Sequence, residues 1–255
     1  MSSWPPGSLA PHPAAATTTQ MLTAQTKTEL TLALRNAEQV LLTLVIPLGL
    51  LLVLTEVPFV AISGRRVDFF VPGVLALAVM SSAFTGQAIA TGFERQYGVL
   101  KRLGATPLPR GVLLGAKTLG VLAVELLQLV LIAAVGLALG WRPHGSVLGL
   151  LALVALGTAA FSGLGLLLGG TLRGLTTLAA ANLVWFVLLL LGGIVFPLSQ
   201  FGDAADLLRL LPTAALSDGL RQLLQHGHLV VRDLGTLAGW AVASFVTASR
   251  AFRWE

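Results

Sequence analysis

Chemistry in this chain has to come from a small set of polar residues among apolar ones. The densest group is FERQYGVLKRLGATPLPR, residues 93–110, which carries Glu94, Arg95, Lys101, Arg102 and Arg110 within one short passage. A second group lies in GAKTLGVLAVELLQLV, where Glu125 has Gln128 one turn on and Lys117 two turns back. A charged side chain at membrane depth costs about 2.5–3.5 kcal/mol, so Glu125 must face a partner or a wet cavity. It either lines the route of a cationic or amphipathic substrate, with Gln128, or joins helices through a hydrogen bond. The pair His226 and His228 is too sparse for a metal site. Zero cysteines exclude disulfides, thiolate metal sites and a cysteine nucleophile. The sequence contains no Gly-x-x-x-x-Gly-Lys-Ser/Thr phosphate loop, no Gly-x-Ser-x-Gly elbow and no His-Glu-x-x-His pair. Recognition and transport remain, rather than bond-making.

The elements that hold these residues are set by composition. With 55% hydrophobic residues, 11% charged residues and a mean hydropathy of +0.86, the chain reads as an all-α membrane protein. Apolar stretches recur at about 40–62, 69–92, 112–140, 147–170, 176–197 and 233–252, each near the roughly 20 residues that cross a hydrocarbon core. Six transmembrane helices are therefore expected. Residues 1–20 are rich in Pro, Ala, Ser and Thr and read as a disordered tail without the basic start of a signal peptide. Residues 21–39 alternate apolar and charged positions at helical spacing. They predict an amphipathic helix that lies along the membrane surface or caps the bundle.

Leu207, Leu208, Leu210 and Leu211, then Leu216, Leu220, Leu223 and Leu224, predict two short amphipathic helices broken at Pro212, too leucine-rich for a plain loop. Glycines four residues apart, at 111 and 115, 136 and 140, and 165 and 169, permit close helix approach. Gln87 and Asn182 read as interhelical hydrogen-bonding residues. With the amino terminus inside, ten Lys and Arg fall on inner segments and six on outer ones, which favours both termini in the cytoplasm. Arg65 and Arg66 count against that assignment. Sixteen Lys and Arg scattered through connecting segments fit topology better than nucleic-acid binding, despite a net charge of +5.

In the charged passage, Val99, Leu100 and Leu103 can share one face of a short helix ended by Gly104 and Pro107. Such a face docks a partner, or the charges simply fix topology. At these residues the sequence resembles the membrane subunits of bacterial ABC exporters of the ABC-2 type, notably small drug-efflux permeases like the daunorubicin exporter's membrane component. The family pattern runs acidic-Arg-acidic-x-Gly-Thr-Leu, a basic pair, then Thr-Pro. It is met here from Glu94 to Arg110, with Gln96 in place of the second acid and Val99 in place of Thr. Weaker agreements are Asp68 to Gly73, Phe196-Pro197, Leu211-Pro212 and Asp218 to Arg221, and the likeness covers most of the chain after residue 20.

The resemblance implies a coupling helix held in a groove of a separate ATP-binding subunit, with Glu94, Arg95, Gly98, Leu100, Lys101, Arg102, Leu103, Thr106, Pro107 and Arg110 at the contact. It implies that ATP and Mg2+ enter through that subunit and that this chain binds no cofactor itself. It also implies a second permease subunit, identical or different, and re-entrant outer helices between spans five and six. The implied function is export of a hydrophobic or amphipathic compound, such as a drug, antibiotic or lipid, across the bacterial cytoplasmic membrane by alternating access. A proton-coupled secondary carrier is the alternative, although it would need more buried ionisable groups than Glu125 and Lys117.

Overall fold

Thr17 starts the first helix in a computed structural model that describes residues 16–57, 62 and 64–251. Its hydroxyl accepts from the Gln20 N–H at 3.3 Å, and Gln20 Oε1 accepts from the Thr17 N–H at 3.0 Å. This reciprocal cap satisfies two donors that a helix start leaves open. The helix α1 therefore spans Thr18–Arg35, so the expected tail of 1–20 is too long at its end, while residues 1–15 lie outside the described residues. Asn36, at φ −83 and ψ 81, breaks the helix expected over 21–39, and α2 (Ala37–Glu56) follows at once.

Next come α3 (Arg66–Val79), a π-helical turn (Met80–Gly86) and α4 (Gln87–Gln96), which form one rod. Then follow the short α5 (Val99–Gly104) and the long α6 (Arg110–Ala138), α7 (Val147–Thr171) and α8 (Gly174–Leu191). A 3-10 turn (Leu198–Ala204), α9 (Ala205–Leu208), α10 (Pro212–His226) and α11 (Val231–Ala251) complete the order. Among the described residues, four stretches are long and apolar enough to cross a membrane: Arg66–Gln96, Arg110–Ala138, Val147–Thr171 and Gly174–Leu191. The expected first span is represented by a shorter apolar stretch, Thr43–Glu56, and its residues 58–61 lie outside the described residues. The expected last span maps onto α11, where Asp233, Thr236, Ser244 and Thr247 dilute the apolar character.

The glycines of α7 decide how these rods approach. A Cβ on Gly165 would stand 2.7 Å from the Phe84 carbonyl oxygen and 2.9 Å from that of Ala83, both in the π turn. One on Gly169 would stand 2.5 Å from the Ala88 carbonyl. The pair at 165 and 169 is thus a true close-approach surface. The pairs at 111 and 115 and at 136 and 140 are not, since Gly111 faces open space and Gly140, at φ +86, serves a turn.

The two ends of the bundle differ. At one end Leu100 of α5 packs with Leu113, Leu114, Leu166 and Ala248, so α11 finishes beside α5, and α1 begins there too, with Leu22 against Gly115. At the other end arginines hold helix termini. Arg66 Nε donates to the Leu54 and Thr55 carbonyls, each at 3.1 Å, closing α2, and Arg65 donates to the Gly140 carbonyl. Unpaired carbonyls at a helix end are natural partners for such cations.

The segment after α8 also differs in detail from expectation. Its first half is only a 3-10 turn and one α-helical turn, interrupted by Gly202 at φ 54 and ψ −130. Pro212 takes the first position of α10, where its missing N–H costs nothing. From α10, Arg221 reaches inward, donating to the Phe69 and Ile194 carbonyls at 3.3 Å each and resting 3.9 Å over the Phe69 ring. Gly73 makes room, because a Cβ there would lie 2.9 Å from the guanidinium. Burial lowers the Arg221 guanidinium to about 10, with Asp218 opposing, so it keeps its charge at neutral pH. Burial likewise raises the Asp218 carboxyl, and Arg221 restrains the shift.

Candidate functional site

The charged passage is divided between anchoring and display. α4 ends at Gln96, and Gly98 turns the chain at φ +71, a conformation that favours glycine. α5 is then stopped by Thr106, whose hydroxyl donates to the Leu103 carbonyl at 2.6 Å, and α6 starts after Pro109. Leu100, fully buried, pins α5 onto α6, α7 and α11, and half-buried Leu103 packs at the edge of the same cluster. Val99 does not share their face, being exposed beside Tyr97, which is 68% exposed. Lys101, Arg102, Thr106, Pro107 and Arg110 are exposed as well. Tyr97 stacks on Phe93 at 6.0 Å between ring centroids.

Besides the buried Leu100, two more expected contact residues point inward. Arg95 donates to the Gly170 and Leu172 carbonyls at 3.2 Å each, closing the end of α7. Glu94 pairs with Lys117 at 2.7 Å, and the same ammonium reaches Glu29 of α1 at 3.1 Å. Lys117 is only 4% exposed, and Glu29 and Glu94 are partly buried, at 16% and 23% exposed. Taking such charges out of water is costly, and only mutual pairing offsets the cost. The three groups tie α1, the end of α4 and α6 together directly above α5. Gln25 Nε2 donates to Glu29 Oε1 at 2.8 Å and steadies it.

Two cavities open beside the triad. The smaller, about 350 Å³, is lined by Glu29, Glu94 and Lys117, by Ser82, Gln87 and Thr91 of the α3–α4 rod, and by the Gly120 side of α6. The larger, about 550 Å³, is lined by Ile46, Pro47, Leu77, Ile89, Asn182 and Trp185 with the π-turn residues Ser81 and Thr85. Asn36, Thr43, Gly86 and Ala90 border both, so the two cavities adjoin. π turns collect at functional sites because they leave backbone and side chains in unusual positions. This one is held by Trp185 Nε1 donating to Ser81 Oγ at 2.9 Å and Ser82 Oγ donating to Gln128 Oε1 at 3.1 Å.

Glu125 and Gln128 border neither cavity. Glu125, 1% exposed, is bonded to the Thr158 hydroxyl, which also donates to the Val154 carbonyl at 2.8 Å. Gln128 Nε2 donates to the Thr43 carbonyl at 2.9 Å. Both join helices. Gln87 accepts from Ser162 of α7 at 2.9 Å, as an interhelical residue should, whereas Asn182 is exposed to the larger cavity. Glu29 and the π turn line the cavities and went unnoticed in the sequence. A signal for Glu29 existed, because Lys117 inside an apolar stretch demands an anion from a neighbouring segment.

Among the described residues, no group of His, Cys, Asp and Glu is arranged to hold a metal. No curated protein matches the sequence. A family model described as ABC-2 type transporter matches residues 20–224, from the start of α1 through most of α10. The divided charged loop, the apolar rods and that match over most of the chain agree: the protein belongs to the ABC-2 type transporter family, as a membrane component of transport rather than a catalyst.

Proposed function

We propose that the protein is the permease subunit of an ATP-driven exporter that moves a hydrophobic or amphipathic compound out across a bacterial cytoplasmic membrane. The observation that carries this reading is the division of residues 94–110 into an anchored part and a displayed part. A soluble ATP-binding subunit would grip Tyr97, Val99, Lys101 and Arg102, and ATP with its Mg2+ would stay in that partner. Because Leu100 and the Glu94–Lys117–Glu29 triad lock α5 to α1, α6, α7 and α11, a push on the displayed face would move several helices together. The adjoining cavities beside the triad would then change their access from one membrane face to the other.

On this reading α2 and α11 join the four long apolar helices as crossings, giving six, with both termini cytoplasmic. α10 acts as a re-entrant outer helix, latched by Arg221 to the outer ends of α3 and α8. A second permease, a copy of this chain or a related one, completes the pathway and covers Asn182. A proton-coupled carrier would need ionisable groups free to exchange protons along its route, whereas Glu125 is sealed between α6 and α7, and Glu29, Glu94 and Lys117 at the cavity wall are tied to one another as ion pairs.

The test is purification of the tagged chain from its native membranes in mild detergent, with co-eluting ATPase activity as the readout. The intact chain should carry ATPase activity, and Arg102→Glu should reduce it about tenfold or more while leaving yield unchanged. ATPase activity unaffected by Arg102→Glu and Tyr97→Glu together would remove the coupling assignment.

A further inference from the structure

Counting charge in the smaller cavity gives an imbalance. Among the described lining residues, Glu29 and Glu94 contribute two carboxylates and Lys117 one ammonium, one negative charge in excess. Two further groups on that wall lack partners. Thr91, with no exposed surface, has an unbonded hydroxyl, and Gln87, 5% exposed, has an unbonded Nε2 while its carbonyl oxygen accepts from Ser162. Buried polar groups left unpaired are expensive, and each is a place where a ligand atom recovers the loss. The adjoining larger cavity is apolar at Ile46, Pro47, Leu77 and Ile89. The space is therefore charged and hydrogen-bonding at one end and oily at the other.

We propose that the smaller cavity is a head-group site for a cationic amphiphile, whose apolar body extends past the π turn into the larger cavity. The cation balances the surplus carboxylate, Thr91 and Gln87 bond its polar atoms, and Trp185 packs against its body. The break between α1 and α2 at Asn36, which borders both cavities, is the side through which the amphiphile enters. An anionic amphiphile meets the surplus negative charge and is rejected. That the occupant is cargo rests on the permease reading, whereas the site itself does not.

The experiment is rhodamine 6G anisotropy with the purified full chain in zwitterionic nanodiscs, using decyltrimethylammonium and decyl sulfate as competitors and empty discs as the blank. Saturable binding should appear, displaced by the ammonium about tenfold better than by the sulfate. Glu29→Gln removes the surplus charge while Lys117 keeps Glu94, and should erase that preference. The double variant Lys117→Met with Glu94→Gln keeps one carboxylate and should retain it. Gln87→Leu, which leaves all three charges in place, should weaken binding about fivefold. Equal displacement by both competitors, or a preference unchanged by Glu29→Gln, would overturn the site. ATPase capture tests the permease reading separately: a chain that binds rhodamine but captures no ATPase keeps the site and loses the cargo assignment.

Discussion

Lys117 sits between two carboxylates where water hardly reaches, and that position sets its energetics. Lys117→Met would leave Glu29 and Glu94 facing each other without a cation, a loss of about 3 kcal/mol or more. Glu29→Gln keeps the Lys117–Glu94 pair and should cost only about 1 kcal/mol. Thermal unfolding of the two variants in detergent should rank them in that order, and equal melting points would show that the triad does not hold α1. Reading the sequence alone reveals that Lys117 stands in an apolar stretch and that Glu94 belongs to the charged passage. It does not reveal that they meet, because pairing across 23 and 88 residues depends on how rods pack rather than on local spacing. Glu29 looked like a solvated charge on an amphipathic helix, and the Gly120 side of α6 is what brings it inward.

Glycine roles separate at the level of elements. Gly165→Ala forces a methyl against two backbone carbonyls that cannot swing aside, and should destabilise by about 2 kcal/mol. Gly111→Ala meets nothing within 4 Å and lies in a helix, so it should be neutral or stabilising by up to about 1 kcal/mol. Detergent melts of the pair check both signs at once. Gly98→Ala strains a turn at φ +71 and should cost about 1 kcal/mol, with weaker capture of the ATPase because α5 is re-aimed. The long apolar helices were legible from hydropathy, and the start of α10 from Pro212. The π turn was not legible, since MSSAFTG carries no local signature and the turn is held by Trp185, Gln128 and Gly165 from three other helices. The Asn36 break was equally hidden, because the helical pattern of 21–39 runs straight through it.

Across the whole molecule the two ends are built from different chemistry. The α5 end displays cations, while Arg65, Arg66 and Arg221 at the opposite end are occupied with carbonyl oxygens. Arg65 and Arg66, which weighed against the predicted orientation when counted as free charge, are helix caps. Arg221 is the corresponding clamp for α10. Arg221→Met should speed hydrogen exchange in α10 and in the first turns of α3, leaving α5 unchanged, and uniform exchange throughout would remove the clamp. Between the ends stands the π turn, and its consequence is one of phase. A helix turned through one extra residue carries everything beyond it about 100° around the axis. Phe69 can thus face Arg221 while Glu94, on the same rod, faces Lys117. Deleting a single residue between 80 and 86 would return the rod to an even winding, and the two halves of the protein would no longer point at their partners together.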